Sequence, residues 1–354
     1  MTTVKEIKHQ KVTHKLKHII IMKAIQFKFK AKPDDHRIVD DVLKPVPAKD
    51  EVIVKVKFSA LDTALEPIIQ KEIPVAYILH KVKNPLYLGF HYSGIIDTVG
   101  SQVSDLKEGD EVFGFLQYEG SQTQGALSEY ITIRHDECAV KPKSAGFDVA
   151  AAATTEPVTA LQALRDKGGL QTKSEEQQTV LVIGAAGAVG SAAVQIAKNL
   201  FGAHVTAICS TKDVEQVKGV FGAQVVIDRS VNKDYVKTLI KEKAKFDVIL
   251  DSPCVLPSSA IKLLKRGGTI VTTAPSGTMY LNQMKLMCSS KRANWIMCKS
   301  NRKDLNTVGK LLSDHKLTVP IDSTFNIKDM SKAMAKNAGR KNGRVVIQVE
   351  NGWV

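Results

Sequence analysis

The sequence predicts an α/β protein built from a partly open β-barrel and a doubly wound parallel sheet. Three observations carry this. Glu51 to Phe58 alternates, with Val52, Val54, Val56 and Phe58 on one face of a half-buried strand. Val180 to Ile183 is a continuous apolar strand that runs into glycines at three-residue spacing, and a helix follows. Beyond Phe147, strands alternate with helices, the pattern of a parallel sheet covered on both faces.

Taken in chain order, residues 1–21 are basic, with Lys5, Lys8, Lys11, Lys15 and Lys17 against Glu6. They read as an appended, dispensable arm. They hold no arginine and no secretory apolar core, so they make a poor leader, and the cytoplasm is the expected location. Met22-Lys23-Ala24 begins a strand. Tyr92 to Gly100 is a strand ending in a glycine turn, and Lys107 to Asp110 is a turn before the short strand Glu111 to Gly114. Strands joined by such turns rather than by helices suggest the barrel. Helices are expected over Asp148–Leu164, Ala188–Phe201, Val214–Phe221, Tyr235–Lys241 and Ser258–Leu264. Strands are expected over Thr179–Ile183, His204–Ile208, Val225–Ile227, Phe246–Leu250 and Thr269–Thr273. The final stretch, with Ile321 to Phe325 and Arg344 to Val349, returns to β-type sequence and is expected to rejoin the first domain.

Size and composition fit this division. The chain has 354 residues, 44% of them hydrophobic, enough for about two domains with buried cores. No apolar run approaches the roughly 18 residues of a membrane span. The formal charge of +14 attracts anions. The lysines are scattered, and there is no RNP-like aromatic motif or zinc-finger spacing, so a solvated surface is favoured over a nucleic-acid face. Five cysteines without a C-x-x-C pair fit a reducing compartment.

The strand–glycine–helix segment includes Gly184, Ala185, Gly187, Ala188, Val189 and Gly190. Backbone there must approach a pyrophosphate closely, and a side chain at Gly187 would obstruct it. The helix N-terminus adds free N–H groups and partial positive charge. The next strand ends in Cys209-Ser210-Thr211-Lys212-Asp213. A carboxylate at that strand end would select NAD; Ser210, Thr211 and Lys212 offer two hydroxyls and an ammonium to a 2′-phosphate instead, which favours NADPH. Helix capping by Ser210 or Thr211 is compatible with that role.

Thr159 to Gly168, Gly184 to Gly190 and Cys209 to Lys212 together closely resemble the zinc-free medium-chain dehydrogenases/reductases. The similarity is greatest to the quinone oxidoreductases and reticulon-interacting reductase relatives. It extends through Ser93–Gly100, Gly109–Gly114, Gly125–Tyr130, Phe246–Asp251 and Gly343–Ile347. The resemblance implies a GroES-like catalytic domain (22–146 and 315–354) split around a Rossmann NADPH-binding domain (147–314), and it allows a homodimer. It implies that Thr159, Thr273 and Ala274 hold the nicotinamide region and that Lys212 meets the 2′-phosphate. Arg229 stands where many relatives have a tyrosine beside the adenine ribose. Arg344 stands where many have a lysine.

Zinc-dependent relatives carry Gly-His-Glu where this chain has Gly89-Phe90-His91, a cysteine near Ser59–Asp62, and a four-cysteine lobe. None of these is present, so no metal is expected. Asp62 lies where relatives often have asparagine, and Thr154-Thr155-Glu156-Pro157 departs from the usual proline–small-residue pattern. Without a Lewis acid, simple alcohol oxidation is disfavoured. Hydride transfer from NADPH to a quinone, enal or enone needs only hydrogen bonding or solvent for the developing oxyanion. Asp62, Tyr92 and Tyr118 are the candidate proton donors. An enoyl-thioester reductase is a rival reading, and a non-catalytic NADPH- or RNA-binding relative is another.

Overall fold

The computed structural model describes residues 20–28, 35–62, 69, 85–117 and 124–353. Tyr118 and residues 1–19 of the basic arm lie outside them.

Among the described residues, a seven-stranded sheet forms the GroES-like domain. Its centre is β3 (Glu51–Ala60), which pairs antiparallel with β5 (His91–Val99), β7 (Tyr130–Arg134) and β16 (Arg344–Gln348). The alternation read from the sequence holds at Val52, Val54 and Val56, which are fully buried, but Ile53 on the opposite face is buried too. β6 (Glu111–Phe115) follows β5, β8 (Cys138–Val140) closes one edge, and β15 (Ile321–Asn326) runs parallel to β16 at the other. The C-terminal strands thus add to a sheet begun about 270 residues earlier in the chain. A three-stranded sheet of β1 (Ile21–Phe27), β2 (Arg37–Leu43) and β4 (Leu86–Tyr87) packs beside it.

The Rossmann domain is a six-stranded parallel sheet. Its strands are β9 (Thr179–Ile183), β10 (His204–Cys209), β11 (Val225–Asp228), β12 (Phe246–Asp251), β13 (Leu264–Thr272) and β14 (Arg292–Trp295), in the order 11-10-9-12-13-14. The order reverses between β9 and β12, and ligands of such sheets bind at the carboxyl ends beside that reversal. Val180 to Ile183 is buried on both faces, which is why the strand carries no alternation.

Four expected elements differ. The helix expected over Asp148–Leu164 is two helices, α1 (Phe147–Ala152) and α2 (Thr155–Gln162), with a π-helical turn to Lys167. Thr154, at φ −109° and ψ −93°, breaks the chain between them. Pro157 sits in the first turn of α2, where a missing N–H costs nothing. The helix expected over Ser258–Leu264 is a 3-10 turn, because Leu264 already starts β13. Finally, α3 (Ala188–Asn199) stops two residues early, and so does the helix that begins at Val214, which ends at Gly219. The helices Gly277–Lys285, Arg302–Ser313 and Met330–Ala338 are additional to those expected from the sequence.

The two domains share a core. Phe113, Phe115 and Ala139 from the barrel pack in one cluster with Leu305, Val308 and the apolar face of the parallel sheet. Arg302 adds polar ties to Asp105 and to the His135 carbonyl, and it donates to the Cys138 carbonyl at 2.8 Å.

Candidate functional site

The turn after β9 is shaped by its glycines. Gly184 has φ +73°, a left-handed conformation, with the Pro253 ring 3.0 Å from where a Cβ would stand. Gly187 precedes α3 in extended geometry and donates its N–H to the Gly184 carbonyl at 2.9 Å. A methyl added at Gly190 would overlap the Gly184 carbonyl oxygen and lie 2.7 Å from the carbonyl carbon. Gly190 therefore allows α3 to pack on the turn. A methyl at Gly187 would meet only the Gly184 oxygen, at 3.2 Å, so that residue keeps its outer side open. No side chain caps α3, which leaves the N–H groups of its first turn available to an anion.

A cleft of about 210 Å³ begins at this turn. Gly187, Ala188 and Ser191 from the turn and α3 line it, together with Leu61, Lys341 and Arg344 from the barrel and Glu156.

Deep in this cleft sits a buried charged cluster. Arg344, 6% exposed, pairs through Nη1 with Glu156 and donates from Nη2 to His91 Nε2 at 3.1 Å. Because the guanidinium can only donate, Nε2 is the acceptor, and the hydrogen-bond network assigns the ring proton to Nδ1. Nδ1 faces Thr154 Oγ1 at 2.7 Å, and that hydroxyl donates onward to the Ala151 carbonyl. Asp62 Oδ2 is 3.5 Å from His91 Nε2. Arg344 Nε and Glu156 Oε2 are buried without a hydrogen bond to the described residues, and His91 Nδ1 lies 3.9 Å from that carboxylate oxygen.

Lys341 occupies the rim. Its ammonium is held by the Asn337 carbonyl and by Asn337 Oδ1 at 2.6 Å. Burial, and then the nearby Arg344 charge, hold its pKa below the usual lysine range. Asn337 in turn donates to the Asp62 carbonyl at 3.0 Å.

The structure brings several expected residues together and separates others. Gly187, Ala188 and Arg344 share the cleft, and Asp62 adjoins it through His91. Ser210 Oγ accepts from Arg229 Nη2 at 3.1 Å at the end of β10. Lys212 beside them is half-exposed, with Asp213 4.0 Å away. Asp228, at the end of β11, is held below the usual carboxylate range, chiefly by a hydrogen bond from Thr211. Thr273 Oγ1 donates to the Ser252 carbonyl at 2.6 Å, with Ala274 adjacent. Thr159 is nearly buried and donates to the Thr155 carbonyl at 2.7 Å. Cys298 packs near Thr159, and burial pushes its thiol up to about 11.

Tyr92 stands apart. It is fully buried in the barrel core, and burial, with the neighbouring Cys138 thiol, pushes its pKa well above the usual phenol range. It does not line the cleft. The sequence alone does not join Glu156, His91 and Lys341 in one site: Glu156 and His91 stand out only as departures from a pattern, and Lys341 only as one of many lysines. Among the described residues, no group of three or more His, Cys, Asp or Glu side chains is placed to hold a metal ion.

Comparison with known proteins places both halves. Residues 48–143 match the alcohol dehydrogenase GroES-like domain, and residues 188–314 match the zinc-binding dehydrogenase model. The chain is 32% identical over 240 residues to an NADPH-dependent alkenal/one oxidoreductase of Arabidopsis thaliana, covering 66% of this chain and 58% of that protein. It is 30% identical to quinone-oxidoreductase QR1 of Triphysaria versicolor, covering 86% of this chain and 91% of the relative. The matches span only 61% and 58% of the first curated relatives' own lengths. A quinone oxidoreductase structure from Coxiella burnetii superposes with a TM-score of 0.78 at 26% identity, covering 93% of this chain and all of the other.

Proposed function

The chain belongs to the medium-chain dehydrogenase/reductase family, quinone oxidoreductase-like, and on that premise we propose that it is an NADPH-dependent, zinc-independent reductase of quinones or α,β-unsaturated carbonyls. The observation that carries the reading is the single cleft in which the open Gly187 turn, the uncapped α3 N-terminus and the barrel's Arg344 meet. The residues fit a dinucleotide. Gly187 leaves room for a phosphate against backbone, and Arg344 Nε is a buried donor lacking an acceptor. Ser210, Arg229 and Lys212 gather hydroxyl, guanidinium and ammonium where a 2′-phosphate would sit.

Bound NADPH supplies a hydride for an electron-poor carbon. The chain's own part is to hold and orient. Thr159, Thr273 and Ala274 would hold the nicotinamide end, and Leu61 gives the cleft an apolar lining residue. Asp62 is the candidate proton source among the described residues. It is nine-tenths buried beside His91, whereas Tyr92 is sealed in the barrel core. Zinc independence is supported by the chemistry of His91. One ring nitrogen accepts from Arg344 and the other faces Thr154, so neither is offered to a metal.

The test is NADPH oxidation with quinones, enals, enones and simple alcohols in parallel, alongside metal analysis of the purified protein. Reduction of conjugated acceptors without stoichiometric zinc is expected. Alcohol oxidation with no reduction of any conjugated acceptor refutes the reading.

A further inference from the structure

We propose that one end of the β1–β2 pair, with the basic residues that lead into it, docks on an anionic lipid surface. The inference stands apart from the cleft and does not rest on the reductase reading. Four large apolar side chains are exposed at this end: Ile20 and Ile21 at 57%, Leu43 at 66% and Val46 at 86%. Ile21 and Leu43 are cross-strand partners, so they stand side by side on one face. Lys44 donates its N–H to the Ile20 carbonyl at 2.8 Å, which holds the two strands together at their ends. Val46 follows between Pro45 and Pro47, in the segment that leads to β3. Such side chains scattered singly are ordinary, but four at one end of one strand pair form a patch. The patch borders a cavity of about 290 Å³ whose lining includes Met22, Val42, Leu43 and Pro45.

The charge around the patch selects the occupant. Lys17 and Lys15 stand three and five residues before Ile20, so chain length alone keeps their Cα atoms within about 11 and 18 Å of it. Lys5, Lys8 and Lys11 precede them, and Glu6 is the one acid in residues 1–19. The strand pair itself carries two exposed acids, Asp40 and Asp41, and Lys49 is exposed beyond Val46. Two nearby carboxylates are already engaged, Asp97 by Lys44 at 2.7 Å and Asp50 by Arg134 at 3.3 Å. Positive charge therefore exceeds negative at this end. Lysines alone would suit RNA equally, but the four exposed side chains are aliphatic and offer no ring on which a base could stack. Aliphatic groups beside lysines fit a bilayer interface, where the first enter the acyl boundary and the ammoniums meet phosphate. Either signal alone gives weak, reversible attachment, and the two together give firm attachment.

The test is sedimentation of the full chain with vesicles of phosphatidylcholine alone and with vesicles containing about one-third phosphatidylserine. The parent should bind the anionic vesicles about tenfold or more tightly than the neutral ones, and less tightly as salt rises. Leu43→Ser/Val46→Ser and Lys11→Gln/Lys15→Gln/Lys17→Gln should each weaken that binding by about tenfold or more. Val46→Ser alone, in the connecting segment, should give a smaller loss in the same direction. Melting temperatures should stay at the parent's value, because Leu43 and Val46 are exposed and the lysines precede the first strand. A parent that leaves anionic vesicles unbound overturns the inference. Binding that the serine substitutions leave intact also overturns it, since the lysines would then act without the patch. So does single-stranded RNA that displaces the protein from anionic vesicles while the serine substitutions leave RNA affinity unchanged.

Discussion

Two glycines three residues apart should fail in opposite ways when substituted. At Gly190 an added methyl overlaps the Gly184 carbonyl. The neighbour is backbone, so it cannot rotate away, and the turn must shift. Overpacking of this kind costs about 1–3 kcal/mol. Alanine recovers roughly 1 kcal/mol of helix propensity over glycine, because Gly190 lies within α3. The overlap wins, leaving a net loss of up to ~2 kcal/mol, which at 2–4 °C per kcal/mol is a melting-temperature drop of up to about 8 °C. At Gly187 the balance reverses. Its φ of −73° and ψ of 168° suit any residue, and a Cβ meets only one oxygen at 3.2 Å. Gly187→Val should therefore melt within about 3 °C of the parent, a loss of ~1 kcal/mol at the N-cap. It should nevertheless bind no measurable NADPH, because its side chain fills the open face of the turn. The assay is thermal melting with and without NADPH, paired with titration. If Gly187→Val binds NADPH within about threefold of the parent, a difference of under 1 kcal/mol, the diphosphate does not lie against this turn and the reasoning is refuted.

Three further outcomes are expected. Lys212→Ala should weaken NADPH binding much more than NADH binding, on the proposal that the half-exposed ammonium meets the 2′-phosphate; comparable losses for both cofactors would argue against that role. Arg344→Met should leave Glu156 buried and uncompensated and destabilise the fold by about 3–5 kcal/mol, with the double substitution Arg344→Met/Glu156→Leu recovering much of it in chemical denaturation. Asp304 is pushed up by burial, but the hydrogen bonds from Arg165, Asn301 and Gln162 outweigh this and hold its pKa below the ordinary 3.8. A depressed carboxylate contributes stability in full above the unfolded pKa and loses it as pH falls through the lower folded value. The melting-temperature gap between the parent and Asp304→Asn should therefore be constant near neutrality and close below about pH 3.8; a gap that persists there would mean the carboxylate charge is not what matters.

The parallel sheet was legible because its signals are local. Val180 to Ile183 is apolar without alternation, and glycines at fixed spacing announce the turn. Elements were misread where long-range context decides. Asp148–Leu164 has uniform helical composition, yet the chain breaks at Thr154, whose hydroxyl accepts the His91 ring and caps nothing. The helix Arg302–Ser313 does carry a local signal, Asn301 accepting from the Asp304 N–H, in a segment the sequence reading left unassigned. Tyr92 shows the limit for site residues. Its strand was clear, but which face meets the core depends on partners from β3 and β6, which a single strand does not reveal.

The site was legible as three unrelated departures: His91 after Gly89-Phe90, the segment Thr154-Thr155-Glu156-Pro157, and an arginine at 344 where relatives have lysine. Folding makes them one. Glu156 needs a cation, His91 Nε2 needs a donor, and Arg344 supplies both from the two prongs of one guanidinium, while Thr154 and Thr155 place hydroxyl oxygens at 2.7 and 3.2 Å from Nδ1. A lysine at 344 would bring a single compact charge with no fixed fork to span both partners. It would leave either the carboxylate or the imidazole unsatisfied at a site from which water is nearly excluded, at a cost of about 1–3 kcal/mol. The arginine therefore answers the histidine and the glutamate together, and none of the three can be replaced alone without exposing the need that the other two create.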